Sequence, residues 1–74
     1  MYEKKAREIL AINLKKYRNQ LGLSQEKFAE KLDTEPYYIS HIENARRNIQ
    51  IDMIGKIADI LEVKLKDLFL EENG

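Results

Sequence analysis

Hydrophobic residues recur at three- and four-residue steps through most of the chain, the spacing that places side chains on one face of an α-helix. The first such segment runs from about residue 3 to residue 21. Its apolar stripe consists of Ala6, Leu10, Leu14, Tyr17 and Leu21. Gly22 is suited to end this helix, because glycine readily adopts the left-handed conformation that often follows a helix.

The stretch from Ser24 to Asn44 predicts two short helices joined by a tight turn. Ser24 can cap the first helix by accepting a backbone N–H. The apolar face of that helix consists of Phe28, Ala29 and Leu32. It is predicted to end near Asp33, since Asp tolerates the left-handed conformation of a sharp corner. The next helix is predicted from Pro36 to Asn44, because Pro is favoured at the first helical position.

A fourth helix is predicted from about Asp52 to Leu61, and one or two further helical turns are predicted from Leu65 to Leu70. The inward stripe of the fourth helix consists of Ile54, Ile57, Ala58 and Leu61. The core is expected to be closed by Leu65, Leu68 and Phe69. The chain has no alternating pattern typical of a strand, so the sequence predicts an all-α, five-helix fold in one domain spanning 1–74, with its core at about 3–70.

A second apolar stripe on the fourth helix indicates a surface for a partner. Met53 and Ile60 lie off the inward stripe and would be exposed in a lone domain. A domain of 74 residues has a small core, which typically supplies only about 3–5 kcal/mol of stability. The sequence therefore predicts a homodimer. The residues predicted to form its interface are Met53, Ile60, Val63 and Leu65.

Composition argues against an enzyme. His41 is the only histidine, the chain has no cysteine, and neither a nucleophile–histidine–acid grouping nor a glycine-rich phosphate loop is present. No cofactor and no metal site are expected. The chain has no apolar run long enough to cross a membrane and no signal peptide at its N-terminus, so we expect a soluble cytoplasmic protein.

The helix from Pro36 to Asn44 has two unlike faces. Ile39 and Ile42 point to one side, whereas Tyr37 and His41 lie one turn apart on the other. A B-form major groove about 12 Å wide admits one helix, and only side chains opposite its core face reach base edges. For a helix that binds DNA in this way, the residues predicted to contact bases are Pro36, Tyr37, Ser40 and His41.

The charge balance is unusual for a nucleic-acid binder, because 13 basic and 13 acidic residues give a net charge of zero. The distribution is more informative than the sum. Basic residues flank the stretch from residue 24 to 44, whereas acidic residues gather toward the C-terminus. The flanking cations are Lys15, Lys16, Arg18, Arg46 and Arg47. The same charge density also describes an ordinary solvated helical surface.

The order LGLSQEKFAEKL, a turn, YISHIENARRN, ADILEV and LKDLF resembles the helix-turn-helix domain of phage repressors, Cro proteins and related bacterial regulators. The resemblance covers about residues 10 to 69, and the RRNIQI segment is also similar to controller proteins of restriction-modification systems. It implies a transcriptional regulator, prokaryotic or from a phage, that binds a palindromic double-stranded DNA operator as a homodimer.

The resemblance also implies roles for individual residues. The family's base readers occupy the positions of Glu35, Pro36, Tyr37 and His41, although Glu35 is better explained as a residue at the helix start. Arg18 and Glu43 occupy the positions of a largely buried structural salt bridge. The residues implied to contact DNA phosphates are Ser24, Gln25, Tyr38, Asn44, Arg46 and Arg47.

Two other functions fit the same sequence. The fold can serve as a protein-interaction module, such as an antitoxin or partner-binding subunit, in which Tyr37, Tyr38 and His41 form an aromatic hot spot. The chain can also be a domain of a longer regulator. DNA binding depends steeply on salt, which separates it from association with a protein.

Overall fold

The computed structural model describes residues 2–71, with side chains from residue 5 onward. This part of the chain forms α1 (Tyr2–Gln20), α2 (Gln25–Leu32), α3 (Pro36–Glu43), α4 (Ile51–Leu61) and a short C-terminal 3₁₀ helix (Leu65–Phe69). The helices begin and end within two residues of the predicted boundaries. None of the helices in the described range is long and apolar enough to cross a membrane.

The predicted count of five helices needs one correction, because the last segment is a 3₁₀ helix and the described residues contain four α-helices. The segment has only five residues, and 3₁₀ geometry occurs mainly in such short segments. Its start is capped by Asp67, whose carboxylate accepts the backbone N–H of Lys64 at 3.0 Å.

Each α-helix ends in the same backbone geometry, with the residue after its last turn at positive φ. In α3 the N–H of Ala45 donates to the carbonyl of Ile42 and the N–H of Arg46 to that of His41, at 3.0 and 2.9 Å. The positive-φ residues are Gly22 (70°), Asp33 (58°), Ala45 (59°) and Glu62 (60°). Gly22 and Asp33 were predicted. Ala45 and Glu62 were not predicted. The left-handed conformation costs a residue with a side chain about 1–2 kcal/mol, and neither residue is of the Gly, Asn or Asp type that adopts it most readily.

The core lies where α1 packs against α3 and the 3₁₀ helix, and where α2 packs against α3 and α4. Its members are Leu10, Leu14, Phe28, Ala29, Leu32, Ile39, Ile42, Ile57, Ala58, Leu61 and Leu68. The expectation for the last segment was wrong in two places, since only Leu68 is buried, while Leu65 and Phe69 are 56% and 43% exposed. A short 3₁₀ helix turns one side toward α1 and leaves the other outside.

The second apolar stripe of α4 lies closer to the core than the sequence suggested, where exposure in a lone domain was expected. Met53, Ile60 and Val63 are half-buried and pack against the edge of the core, and Ile54 from the inward stripe is also only half-buried. Of the four residues predicted at a dimer interface, Leu65 alone is largely exposed.

Asn13 is a buried polar residue that the sequence analysis did not single out. It is 1% exposed, and its Nδ2 donates to the backbone carbonyls of Leu68 and Leu70 at 2.8 and 2.9 Å. One amide thus satisfies two carbonyls at the C-terminal end and fixes the 3₁₀ helix against the middle of α1.

We expect Asn13→Ala to lower the free energy of unfolding by about 2–3 kcal/mol, because both carbonyls lose their partner inside the protein. Asn19→Ala is the matched control, since Asn19 lies on the same helix but is exposed; it should change stability by less than about 0.5 kcal/mol. Urea unfolding followed by circular dichroism measures both. Equal small losses would contradict the role of Asn13.

Candidate nucleic-acid interface

The exposed face of α3 carries an aromatic pair. Ile39 and Ile42 are 0% and 2% exposed and fix the opposite face in the core. Tyr37 is 55% exposed, and its ring meets that of His41 edge-to-face, with centroids 5.7 Å apart at 79°. The two side chains form one ridge on the exposed face of α3. The buried isoleucines on the opposite face prevent the helix from rotating about its axis.

The other predicted base-contacting residues border this ridge. Pro36 is the first residue of α3 and is exposed, and Ser40 is half-buried in the next turn. Glu35 precedes the helix in extended conformation, and its side chain makes no capping hydrogen bond. The carbonyl of Ser40 accepts the Nδ2 of Asn44 at 2.7 Å, which closes the end of the helix.

The predicted salt bridge between Arg18 and Glu43 is present in the structure and is buried. Arg18 Nε donates to Glu43 Oε2 at 2.6 Å and Nη2 donates to Oε1 at 3.0 Å, with side chains 8% and 3% exposed. Arg18 Nη1 also donates to the carbonyl of Leu23 at 2.6 Å. The pair therefore connects the end of α1, the corner before α2 and the end of α3.

This network changes the interpretation of two residues. Arg18 was counted among the cations near the reading helix, but Glu43 neutralises its charge. Gln25 was implied to contact a phosphate, and its Nε2 donates to Glu43 Oε1 at 3.0 Å. Gln25 thus adds the start of α2 to the same network, and only its second amide hydrogen remains for DNA.

The remaining phosphate candidates lie at the two ends of the helix pair. Ser24 is exposed, and its Oγ accepts the backbone N–H of Lys27 at 3.0 Å. Tyr38 is half-buried, with the Arg47 guanidinium 4.8 Å from its ring centre. Arg46 is exposed at the start of the loop after α3.

The structure also brings together two residues that sequence reasoning missed. Arg7 of α1 donates from Nε, at 3.1 Å, and from Nη2 to the same oxygen, Oδ1 of Asn48, in the loop after α3. The two residues are 41 positions apart, so no local pattern indicates the contact.

Comparison with known proteins places these features in a family. The model of the helix-turn-helix family HTH_3 matches residues 14–68. The control protein C.MunI of a Mycoplasma species is 42% identical over 57 residues, which cover 76% of this chain and 77% of that protein.

Two solved structures share the fold. The hypothetical transcription factor NHTF from Neisseria is 35% identical with a TM-score of 0.85, over 92% of this chain and 78% of that one. The restriction-modification controller protein C.AhdI from Aeromonas hydrophila is 28% identical with a TM-score of 0.80, over 85% of this chain and 96% of that one.

Removing one member of the buried ion pair should be worse than removing both. Arg18→Met leaves the Glu43 carboxylate buried with Gln25 as its remaining hydrogen-bond partner among the described residues, and should cost about 3–5 kcal/mol of stability. Adding Glu43→Leu removes the stranded charge, so the double variant should be more stable than Arg18→Met alone. Thermal unfolding of both variants tests this, and strictly additive losses would show that the pair is not coupled.

Proposed function

The chain belongs to the helix-turn-helix family HTH_3, and we propose that it is a transcriptional regulator that binds specific sequences in double-stranded DNA. One observation of the structure carries the proposal: α3 exposes Tyr37 and His41 on one face while its other face is locked in the core. The relatives named as control proteins and a transcription factor support it. The proposal is therefore of a binding protein and not of an enzyme.

In this proposal α3 enters the major groove with the ridge of Tyr37 and His41 toward the bases. The tyrosine ring packs on a thymine methyl group, and the imidazole donates to N7 or O6 of guanine. Pro36 and Ser40 border the same face and contact the neighbouring base edges.

Phosphate contacts then position the helix in the groove. Ser24 and Gln25 at the start of α2 approach one strand, and Asn44, Arg46 and Arg47 after α3 approach the sugar–phosphate backbone from the other end, with Tyr38 beneath Arg47. With a net charge of zero, the protein has little general attraction for DNA, so the two loop arginines supply a large share of it.

We further propose a homodimer on a palindromic operator, with half-sites about 34–36 Å apart. The support is apolar surface on α4 and on the 3₁₀ helix that contacts it. Leu65 is 56% exposed, and Met53, Ile60 and Val63 are half-buried. Two-fold pairing through this surface would place both copies of α3 on one side of the assembly. By analogy with C.AhdI, the regulated genes are those of a restriction-modification system.

Base and phosphate contacts should respond differently to substitution. Tyr37→Ala and His41→Ala should each weaken binding to the selected operator by about 1–3 kcal/mol and leave binding to random duplexes nearly unchanged. Arg46→Ala and Arg47→Ala should each weaken binding to both the operator and random duplexes. Each should also make the slope of log binding constant against log salt concentration shallower by about one unit. Titrations at several salt concentrations, after selection of an operator from a random pool, measure both effects.

Two results would reject parts of this assignment. Equal loss on operator and random duplexes for Tyr37→Ala would remove that residue from base reading. Salt-independent binding of the parent protein would favour the protein-interaction module, with the aromatic ridge as its hot spot.

The dimer is best tested at Leu65, because Ile60 also packs against the core and a lysine there would disturb the fold. We expect Leu65→Lys to give a folded monomer with operator affinity at least about tenfold lower, since one copy loses its partner's contacts. Ile12→Lys is the control, as Ile12 is 63% exposed on α1. Sedimentation at micromolar concentration reports the association state. This dimer would be excluded if the parent protein were monomeric and the parent and Leu65→Lys bound the operator with equal affinity.

A further inference from the structure

The loop that connects α3 and α4 carries the two arginines proposed to contact DNA, and it has little backbone support. It begins at Ala45, which is held at a φ of 59°. Arg46 donates its N–H back to α3, but among the described backbone hydrogen bonds outside the helices, none involves residues 47–49. The position of this segment must therefore come from its side chains.

Packing beneath the loop is also incomplete. The loop borders a cleft of about 190 Å³. Its walls are formed by Ala6, Arg7, Leu10, Ile42, Arg47, Asn48, Ile49, Ile54 and Phe69. Ile49 is half-buried against the core at one end, and Arg47 lies on the Tyr38 ring at the other. Asn48, between these two anchors, is exposed and would have no anchor of its own without α1.

Arg7 supplies that anchor. Its Nε and Nη2 both donate to the side-chain amide oxygen Oδ1 of Asn48, and we refer to this contact as the Arg7–Asn48 clamp. The guanidinium is rigid and planar, so two donors on one acceptor fix direction as well as distance. A lysine ammonium at the end of a flexible stem cannot reproduce this geometry.

We propose that Arg7 is a positioning residue for DNA binding, which acts through Asn48 to hold Arg46 and Arg47 where the phosphates will lie. The inference rests on the proposed function of the chain. An ordered loop loses less conformational entropy on binding, so breaking the clamp should weaken affinity without removing a phosphate contact.

An alternative must be separated from this one. Asn48 is uncharged, so the charge of Arg7 is not neutralised within the clamp, and Arg7 would also attract phosphates if it lay near them. Arg7→Lys distinguishes the two roles, because it keeps the positive charge but loses the planar fork.

We expect Arg7→Lys to bind operator roughly three- to tenfold more weakly, with an unchanged salt slope. Asn48→Ala should give the same loss, and combining the two substitutions should add nothing further. In a background of Arg46→Ala and Arg47→Ala, Arg7→Lys should have no effect, because nothing remains to be positioned. Lys5→Ala is the control; Lys5 lies half a turn away and pairs with Glu71 at 3.2 Å.

A second measurement follows the loop without DNA. Backbone ¹⁵N relaxation should show greater mobility of residues 46–49 in Arg7→Lys than in the parent, while the circular dichroism spectra agree. This measurement separates local loosening from general loss of stability, which would affect all helices.

The outcomes are distinct. If the parent and Arg7→Lys bound the operator equally well, the positioning role of Arg7 would be overturned and the proposed function would remain intact. A shallower salt slope in Arg7→Ala, with full affinity in Arg7→Lys, would make Arg7 a direct phosphate contact and also overturn positioning. A parent that binds no duplex at all would overturn the proposed function itself.

Discussion

The buried ion pair between Arg18 and Glu43 is the contact on which the geometry of the reading helix depends. A buried pair adds little stability over a well-packed apolar pair, because removing both charges from water offsets most of their attraction. Its value is directional. Paired hydrogen bonds at 2.6 and 3.0 Å, with Leu23 and Gln25 attached to the same groups, allow one angle between α1, α2 and the end of α3.

That arrangement has an electrostatic consequence. Arg18 is paired with Glu43, so the pair as a whole carries no net charge that would attract DNA at long range. In a chain of zero net charge, general affinity rests on few cations, and discrimination must come from contacts that form only on the correct sequence. Under the proposed function, the position of Arg46 and Arg47 therefore has a larger influence on DNA affinity than it would in a strongly basic domain.

Local signals predicted the central part of the fold well. Ser24 marks a helix boundary through its side-chain oxygen, whereas Asp33 and Pro36 do so through their backbone conformation, and all three do so in the structure. Asn13 and Arg7 act on partners 55 and 41 residues away, which periodicity cannot indicate. The partner of Gln25 was missed for a similar reason, since Glu43 lies 18 residues away and the resemblance that assigned Gln25 to a phosphate says nothing of a partner within the protein. The exposure of Leu65 and Phe69 depends on a 3₁₀ geometry that their apolar spacing does not reveal.

The ends of the described helices carry unfavourable backbone conformations. Three of the four residues at positive φ carry side chains, and each departs from the glycine that this conformation favours. At Ala45 the positive φ turns the chain back onto α3, so that the N–H of Arg46 donates to the carbonyl of His41. Such strain persists only where surrounding contacts hold it, and the core cluster in the described part of the chain has eleven buried residues to supply them. We infer that pairing through α4 and the 3₁₀ helix would stabilise the same backbone that presents the loop, so that association and DNA binding would reinforce each other.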